Sequence, residues 1–264
     1  MGASKAGLDW HGSTLLRRTV GLVARGVDGP VVVVRSPGQP LPALPPGVEV
    51  VDDPVEGGGP LQGLAVGLEH LAGRSEAVFL CSTDLPFLQP AWVRAVVGRL
   101  EHHDVALPHV HGYRQPLAAA YATRLAPLAA ELVAQGAGAP KALLDRVDVL
   151  VLDAAALLAD PALAAADPAL RSVCNLNDSE DYDAARAAPA PAVTVQRFGV
   201  LASAGTRGVQ HLRAATVGSA AQQVGLRLDR HVLAAVTGDR TGRDPDEPLV
   251  DGDAVAFLSA DAGG

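Results

Sequence analysis

Three stretches of the chain place chemistry-bearing residues where a folded α/β protein could use them. Asp84 closes the apolar run "EAVFLCSTD" and is followed by "LPF", and Asp52 and Asp53 close "VEVVDD". The turn "EGGGPLQG" sets Gly57 to Gly59 directly ahead of an amphipathic run. In open α/β sheets ligands bind outside the carboxyl ends of the strands. Carboxylates there, beside a glycine turn whose backbone amides can face an anion, suit a nucleotide. Each piece also has a plain structural use, the aspartates as caps or turn formers and the glycines as a flexible loop. Their co-occurrence is what points to a site. The chain closes on "DGDAVAFLSADAGG". Gly263 and Gly264 have no side chains to pack, so the end is either frayed or a thin tail shaped to thread into a partner's narrow site.

The elements that must carry these residues follow from periodicity. "TLLRRTVGLVARG" puts Leu16, Val20 and Val23 on one helical face, with arginines on the other and Gly26 as a stop. Val31 to Val34, "VEVVDD" and "EAVFLCSTD" read as strands, the first and third buried on both faces. Between them "PLQGLAVGLEHLAG" spaces Leu61, Leu64, Leu68 and Leu71 as a helix, and "QPAWVRAVVGRL" starts a helix near Pro90. "YATRLAPLAAELVAQG" and "APKALLDRV" read as helices, "VDVLVLD" as a strand and "NDSEDYDAARAA" as an acidic-first helix. Helices alternating with buried strands predict a mostly parallel sheet covered on both faces. The stretch "APAPAV" then suits a stiff linker. Beyond it "VTVQRF", a helix around "VGSAAQQVGL", and the strands "VLAAVTGD" and "DAVAFL" with a hairpin-like end predict a separate small α+β unit. The expected division is 1–187, a linker at 188–192, and 193–264.

Composition bounds the partners. The 264 residues are 48% hydrophobic and 19% charged, which is globular. A net charge of −8 argues against nucleic acid or a membrane surface as partner, since both need clustered basic residues. Cys81 and Cys174 stand far apart with no CxxC spacing and read as buried packers. His102, His103, His109 and His111 invite a metal reading, with His109 and His111 on one face of a strand. No further ligand or supporting acid is evident, and a solvated loop is the better reading. With no signal-peptide core and no long apolar run, a cytoplasmic protein is expected.

Taken in order, "MGASKAGLDWHGSTLL", "GPLQGL", "CSTDLPF", "YRQPLAAAY" and "NLNDSEDY" resemble the molybdenum cofactor guanylyltransferases of the Rossmann-like nucleotidyltransferase superfamily, over residues 1 to about 187. The resemblance implies transfer of GMP from GTP to molybdopterin with Mg²⁺. It implies Asp84 as the metal ligand, Lys5 as the cation that neutralises the triphosphate, and Asp53 and Arg35 as nucleotide contacts. Asn175 and Asn177 resemble a pair near the metal on the pterin side. Asn177 can also be read as a helix cap closed by Glu180.

The sequence departs from that family at its start. The family's motif begins with a strand and an L-A-G-G-x-S-x-R turn that wraps the triphosphate, whereas this chain opens at the motif's M-G, with Ser4 where an acid precedes the lysine. The absent strand lies mid-sheet in that fold, so two unpaired strand edges are expected. The chain is read as N-terminally truncated, and its GTP binding and transfer from Met1 are expected to be weak.

The segments "VTVQRFGVLASAG", "ATVGSAAQQVGL", "LAAVTGD" and "PLVDGDAVAFLSADAGG" resemble the small sulfur-carrier subunit of molybdopterin synthase, a ubiquitin-like β-grasp fold. The resemblance implies that the Gly264 carboxylate is adenylated by an activating enzyme and converted to a thiocarboxylate. The tail then delivers sulfur inside the large synthase subunit. Carriers of thiamine synthesis share such a tail, and the neighbouring domain favours the molybdenum pathway. Two alternatives stand beside the fused two-step reading. One is a sulfur carrier with a non-functional front domain, and the other is a nucleotidyltransferase of different base or substrate.

Overall fold

The computed structural model describes residues 5–203, 208–237 and 240–260; Gly263 and Gly264, the expected carrier tail, lie outside the described residues. The chain runs through β1 (Asp9–Trp10), β2 (Ser13–Thr14), α1 (Leu15–Ala24), β3 (Val32–Arg35), β4 (Glu49–Asp52), α2 (Pro60–Leu71), β5 (Ala77–Cys81) and α3 (Pro90–Gly98). Next come β6 (Val105–Val110), β7 (Tyr113–Arg114), β8 (Ala118–Ala122), α4 (Ala126–Ala134), α5 (Lys141–Leu144), β9 (Val149–Asp153), α6 (Ala154–Leu158) and α7 (Pro161–Ala166). The last part holds α8 (Ser179–Ala187), β10 (Ala192–Arg197), α9 (Val200–Ser203), β11 (Gln210–Arg213), α10 (Val217–Gln223), β12 (Val232–Val236), β13 (Arg240–Gly242) and β14 (Ala254–Ser259). Two compact units result, Leu22–Asn175 and Met1–Gly21 with Leu176–Gly264.

In the Leu22–Asn175 unit, β3 and β4 form a parallel pair with Arg35 opposite Asp52. A second sheet has the order β5-β8-β6-β7, with β9 on β6. The expectation of a mostly parallel sheet is corrected here: β8 runs antiparallel to both β5 and β6, and only β9 joins β6 in parallel. The physical reason is the tight turn at Gly112, φ 81°, which folds β7 straight back on β6 and leads into β8 with no room for a crossover helix. The helix expected from Tyr121 begins only at Ala126. Ala118–Ala122 is a strand buried at every position, because the site between β5 and β6 outweighs the poor strand propensity of alanine.

Helices do cover both faces of this sheet. Leu61, Leu64 and Leu68 of α2 and Leu132 of α4 meet Val105, Leu107 and Tyr121 in one core. On the alternate face α3 packs, and Trp92 donates its indole N–H to the Ala118 carbonyl at 3.3 Å. Among the described residues β3 pairs only with β4 and β5 only with β8, which gives the two open edges expected from the sequence. Val32–Arg35 and Ala77–Cys81 are accordingly half-buried throughout, where strands buried on both faces were expected.

An ionic clamp ties β4 to α2. Glu49 accepts from Arg74 Nη2 at 2.6 Å and lies 2.6 Å from His70 Nε2. Hydrogen bonds from Arg74 and then His70 hold the Glu49 carboxyl down at about 2, from an ordinary 4.5. A depressed carboxyl contributes stability above its unfolded value and loses it as pH falls through the folded one. The clamp is therefore expected to weaken between about pH 4.5 and pH 2. An NMR titration of Glu49 checks this, and a midpoint near 4.5 would show the clamp open in solution.

In the other unit, α1 departs from expectation. Leu16 and Val20 are buried as predicted, yet Arg18 is buried too, and Arg17 is largely covered. The residues 244–249 account for this by lying over that face. Arg17 donates to both Asp244 carboxylate oxygens, at 2.7 and 2.8 Å, and Arg18 donates to the Leu249 carbonyl at 3.3 Å. Gly21 is needed for this approach, because a Cβ there would sit 2.5 Å from the Pro248 ring. Gly21→Val is expected to destabilise the chain by about 1–3 kcal/mol through overpacking, read from urea unfolding. An unchanged midpoint would mean the residues 244–249 do not lie there.

The same unit contains a five-stranded sheet ordered β11-β10-β14-β12-β13. Its central pair, β10 and β14, is parallel, and the remaining pairings are antiparallel. Helix α10 covers it, capped by a reciprocal Thr216–Ser219 box, with Val217, Ala220 and Ala221 against Val195, Leu249 and Phe257. The expected hairpin-like end is corrected: β14 lies between β10 and β12, with β13 and the residues up to the Gly252 turn intervening in sequence.

Candidate active site

Asp84 follows β5, where the strand's carboxyl end gives way to the L-P-F turn. It is half-buried, and the Ser82 hydroxyl donates to its Oδ1, which orients the carboxylate. The Ser82 amide in turn donates to the Leu117 carbonyl at 3.1 Å, so the approach to Asp84 is fixed by the start of β8. Burial, and secondarily the Asp84 charge, push the Cys81 thiol up, which leaves it protonated; by exposure Cys81 and Cys174 are both half-buried, where buried packers were expected.

Asp52 and Asp53 close β4. Arg35, at the end of β3, donates its Nε–H to Asp52 Oδ1 at 2.6 Å, and the Arg35 carbonyl accepts the Asp53 amide at 2.7 Å. Arg35 and Asp53 are thus brought together, with Asp52 as the direct partner of the guanidinium. The Asp53 carboxylate accepts the Val55 amide at 3.0 Å and so shapes the turn that leads to Gly57–Gly59.

The first amides of α2 do not face outward as the sequence suggested. Pro60 has no N–H, Leu61 donates to the Gly138 carbonyl at 3.0 Å, and Gln62 donates to Gly59 at 3.2 Å. Gly59, at φ 82°, could carry no Cβ, because one would lie 2.6 Å from that same Gly138 carbonyl. Any anion contact in this turn falls to the amides of Gly57–Gly59 themselves. Sequence reasoning missed this second glycine segment, although "QGAGAP" was a visible signal.

Arg35, Asp53, Asp84 and Asn175 belong to the Leu22–Asn175 unit, and Lys5 and Asn177 to the other. Lys5 opens a short 3-10 helix, and its ammonium donates to the Leu176 carbonyl. Asn175 and Asn177 are exposed. The cap reading of Asn177 is corrected: Asp178 caps α8 by accepting the Asp181 amide, and Asn177 contributes only its backbone N–H, to Asp181 Oδ2 at 3.0 Å. The histidines do not converge. His102 and His103 stack, and His103 lies 2.7 Å from Asp148. His111 sits in the β6–β7 turn at φ 54°, so it does not share a strand face with His109.

Among the described residues no three His, Cys, Asp or Glu side chains gather to hold a metal ion. Asp84 alone is still compatible with Mg²⁺, which takes one or two carboxylates and completes its shell with water and substrate phosphates. Among the described residues no helix is long and apolar enough to cross a membrane.

Half-open sheet, flanking helices and carboxylates at strand ends are those of an α/β nucleotidyltransferase. Molybdopterin-guanine dinucleotide biosynthesis protein A of Archaeoglobus fulgidus shares the fold with a TM-score of 0.55 at 20% identity, over 70% of this chain and 90% of that one. The 2-C-methyl-D-erythritol 4-phosphate cytidylyltransferase of Thermus thermophilus does so at 0.51 and 20%, over 69% and 92%. The chain belongs to the MobA-like NTP transferase domain family, whose model matches residues 1–150. It is 34% identical over 167 residues to the probable molybdenum cofactor guanylyltransferase of Mycobacterium avium, covering 61% of this chain and 83% of the relative. With the protein of that name from Mycobacterium tuberculosis H37Rv it is 37% identical over 155 residues, 57% and 75% of the two chains.

Proposed function

We propose that residues 1–187 transfer GMP from GTP to molybdopterin. The observations that carry this are the 34% identity to a probable guanylyltransferase over 167 residues and the family match over residues 1–150, which contains the Asp84 turn. A phosphate oxygen of the acceptor attacks the α-phosphorus of GTP, the bond from that phosphorus to the bridging oxygen breaks, and pyrophosphate leaves. Catalysis of this kind is positioning and charge neutralisation. Mg²⁺, when bound, would neutralise the phosphates, and Asp84 would hold it. Lys5 would turn from the Leu176 carbonyl to the triphosphate. Asp53 binds the nucleotide, and Arg35 does so directly or by orienting Asp52. Asn175 and Asn177 serve the acceptor side. Incubating the chain with α-labelled GTP, Mg²⁺ and molybdopterin tests this: labelled dinucleotide is expected, and its absence overturns the reading. CTP and ATP in competition decide the base, since the fold is shared with a cytidylyltransferase.

We propose further that residues 193–264, after a linker at 188–192, form a sulfur carrier. Support comes from the sheet order, in which the first and last strands of the domain form the central parallel pair and a helix crosses one face. The Gly264 carboxylate would be adenylated by an activating enzyme, a sulfide donor would displace AMP, and the thiocarboxylate would enter the large molybdopterin synthase subunit. The open edges of β3 and β5 favour one second reading, a carrier whose front domain is inactive, and the same GTP assay separates the two.

A further inference from the structure

The segment after α7 is built around a buried carboxylate that the proposed chemistry does not use. Asp167 is 5% exposed; its Oδ1 accepts the Arg171 amide, and its Oδ2 accepts both the amide and the hydroxyl of Ser172, all at 2.7 Å. Ser172 is fully buried, and its Oγ accepts the Gln89 amide at the head of α3, at 3.1 Å. Leu170 is held left-handed at φ 51°, an unfavourable conformation for a branched side chain. The Leu170 carbonyl lies 3.1 Å from His111 Nε2 in the β6–β7 turn. Five hydrogen bonds, drawing on three parts of the unit, thus hold this segment.

The pinned segment presents Arg171. Its guanidinium carbon lies 4.2 Å from the centre of the Phe87 ring, and Phe87 is three residues beyond Asp84. Asn175 follows four residues after Arg171. Arg171 is exposed, and among the described residues no carboxylate or carbonyl accepts from its guanidinium. Stacking on a ring occupies the flat face of a guanidinium and leaves its N–H edge free, and that edge matches a phosphate bidentately.

We propose that Arg171 binds the terminal phosphate monoester of the acceptor substrate and holds it beside Asp84. The inference rests on the nucleotidyl-transfer reading above. Arg171 takes no part in bond making; it fixes the attacking phosphate, and Asp167 is a positioning residue that acts through it.

The test uses the whole chain and three variants, Arg171→Gln, Arg171→Lys and Asp167→Asn, each first compared with wild type by its amide NMR spectrum. Phenyl phosphate is titrated while the arginine Nε–Hε signals are followed. In parallel, KM is measured for molybdopterin and for GTP. Arg171→Gln is expected to weaken phenyl phosphate binding and raise the molybdopterin KM by roughly tenfold, the worth of a charge-assisted pair, with the GTP KM unchanged. Arg171→Lys should recover only part, since an ammonium lacks the planar fork. Asp167→Asn should raise the same KM while Arg171 is still present. Equal phenyl phosphate affinity in Arg171→Gln, no binding by wild type, or a loss confined to the GTP KM would each overturn the proposal, the last by assigning Arg171 to the triphosphate. Arg171-dependent phosphate binding in a chain that transfers nothing to molybdopterin would sink the transfer reading and leave the phosphate site standing.

Discussion

Asp84→Ala, in the chain carried through to Gly264, is expected to reduce GMP transfer by about 10²–10³-fold or more, the scale on which losing one preorganised charge-stabilising group acts. Sulfur loading at the C-terminus should be unaffected. The size of the effect follows from the donor set: no second carboxylate, histidine or thiol among the described residues joins Asp84 in a three-residue group that could replace it. The variant should fold, because Asp84 is half-buried in a turn whose backbone is tied down through the Ser82 amide and Leu117. Asp84→Asn, of equal shape, separates charge from packing. Transfer of labelled GMP is the readout, and activity within a few-fold of wild type in both variants would remove Asp84 from the metal site.

Deleting Gly263 and Gly264 is expected to abolish thiocarboxylate formation completely while leaving the unfolding midpoint of the chain unchanged. The reacting carboxylate would then sit on Ala262, whose Cβ obstructs the narrow passage that two glycines can follow. The five-stranded sheet and its core, from Val193 to Phe257, lie upstream of the deletion, so no stability is lost with it. Intact mass after incubation with an activating enzyme, ATP and a sulfide donor shows whether one carboxylate oxygen is replaced by sulfur. Sulfur still delivered by the shortened chain would end the carrier reading and leave the first domain's assignment untouched.

Most elements were legible because their signals are local. The leucine spacing of α2 and the apolar runs of β3, β4 and β5, with aspartates at or just beyond the ends of the last two, depend on neighbours in sequence, and the structure forms an element at each. The position of Asp84 at a strand's carboxyl end was equally readable, since a strand that ends in a turn announces itself by composition.

Tertiary structure decided what depends on partners distant in sequence. Five residues, mostly alanine, at 118–122 become a strand only because β5 and β6 flank them. Arg17 and Arg18 are covered because residues 244–249, more than two hundred positions away, supply carboxylates and a carbonyl. The amides at the start of α2 are consumed by Gly138 and by Gly59, a pairing invisible to any short window. Arg171 stands out only once the Asp167 carboxylate is seen buried beneath its backbone and Phe87 beneath its side chain. Periodicity and turn chemistry are properties of adjacent residues, so the sequence carries them openly; burial, ion pairing and the exhaustion of hydrogen-bond donors are settled by which distant segments meet.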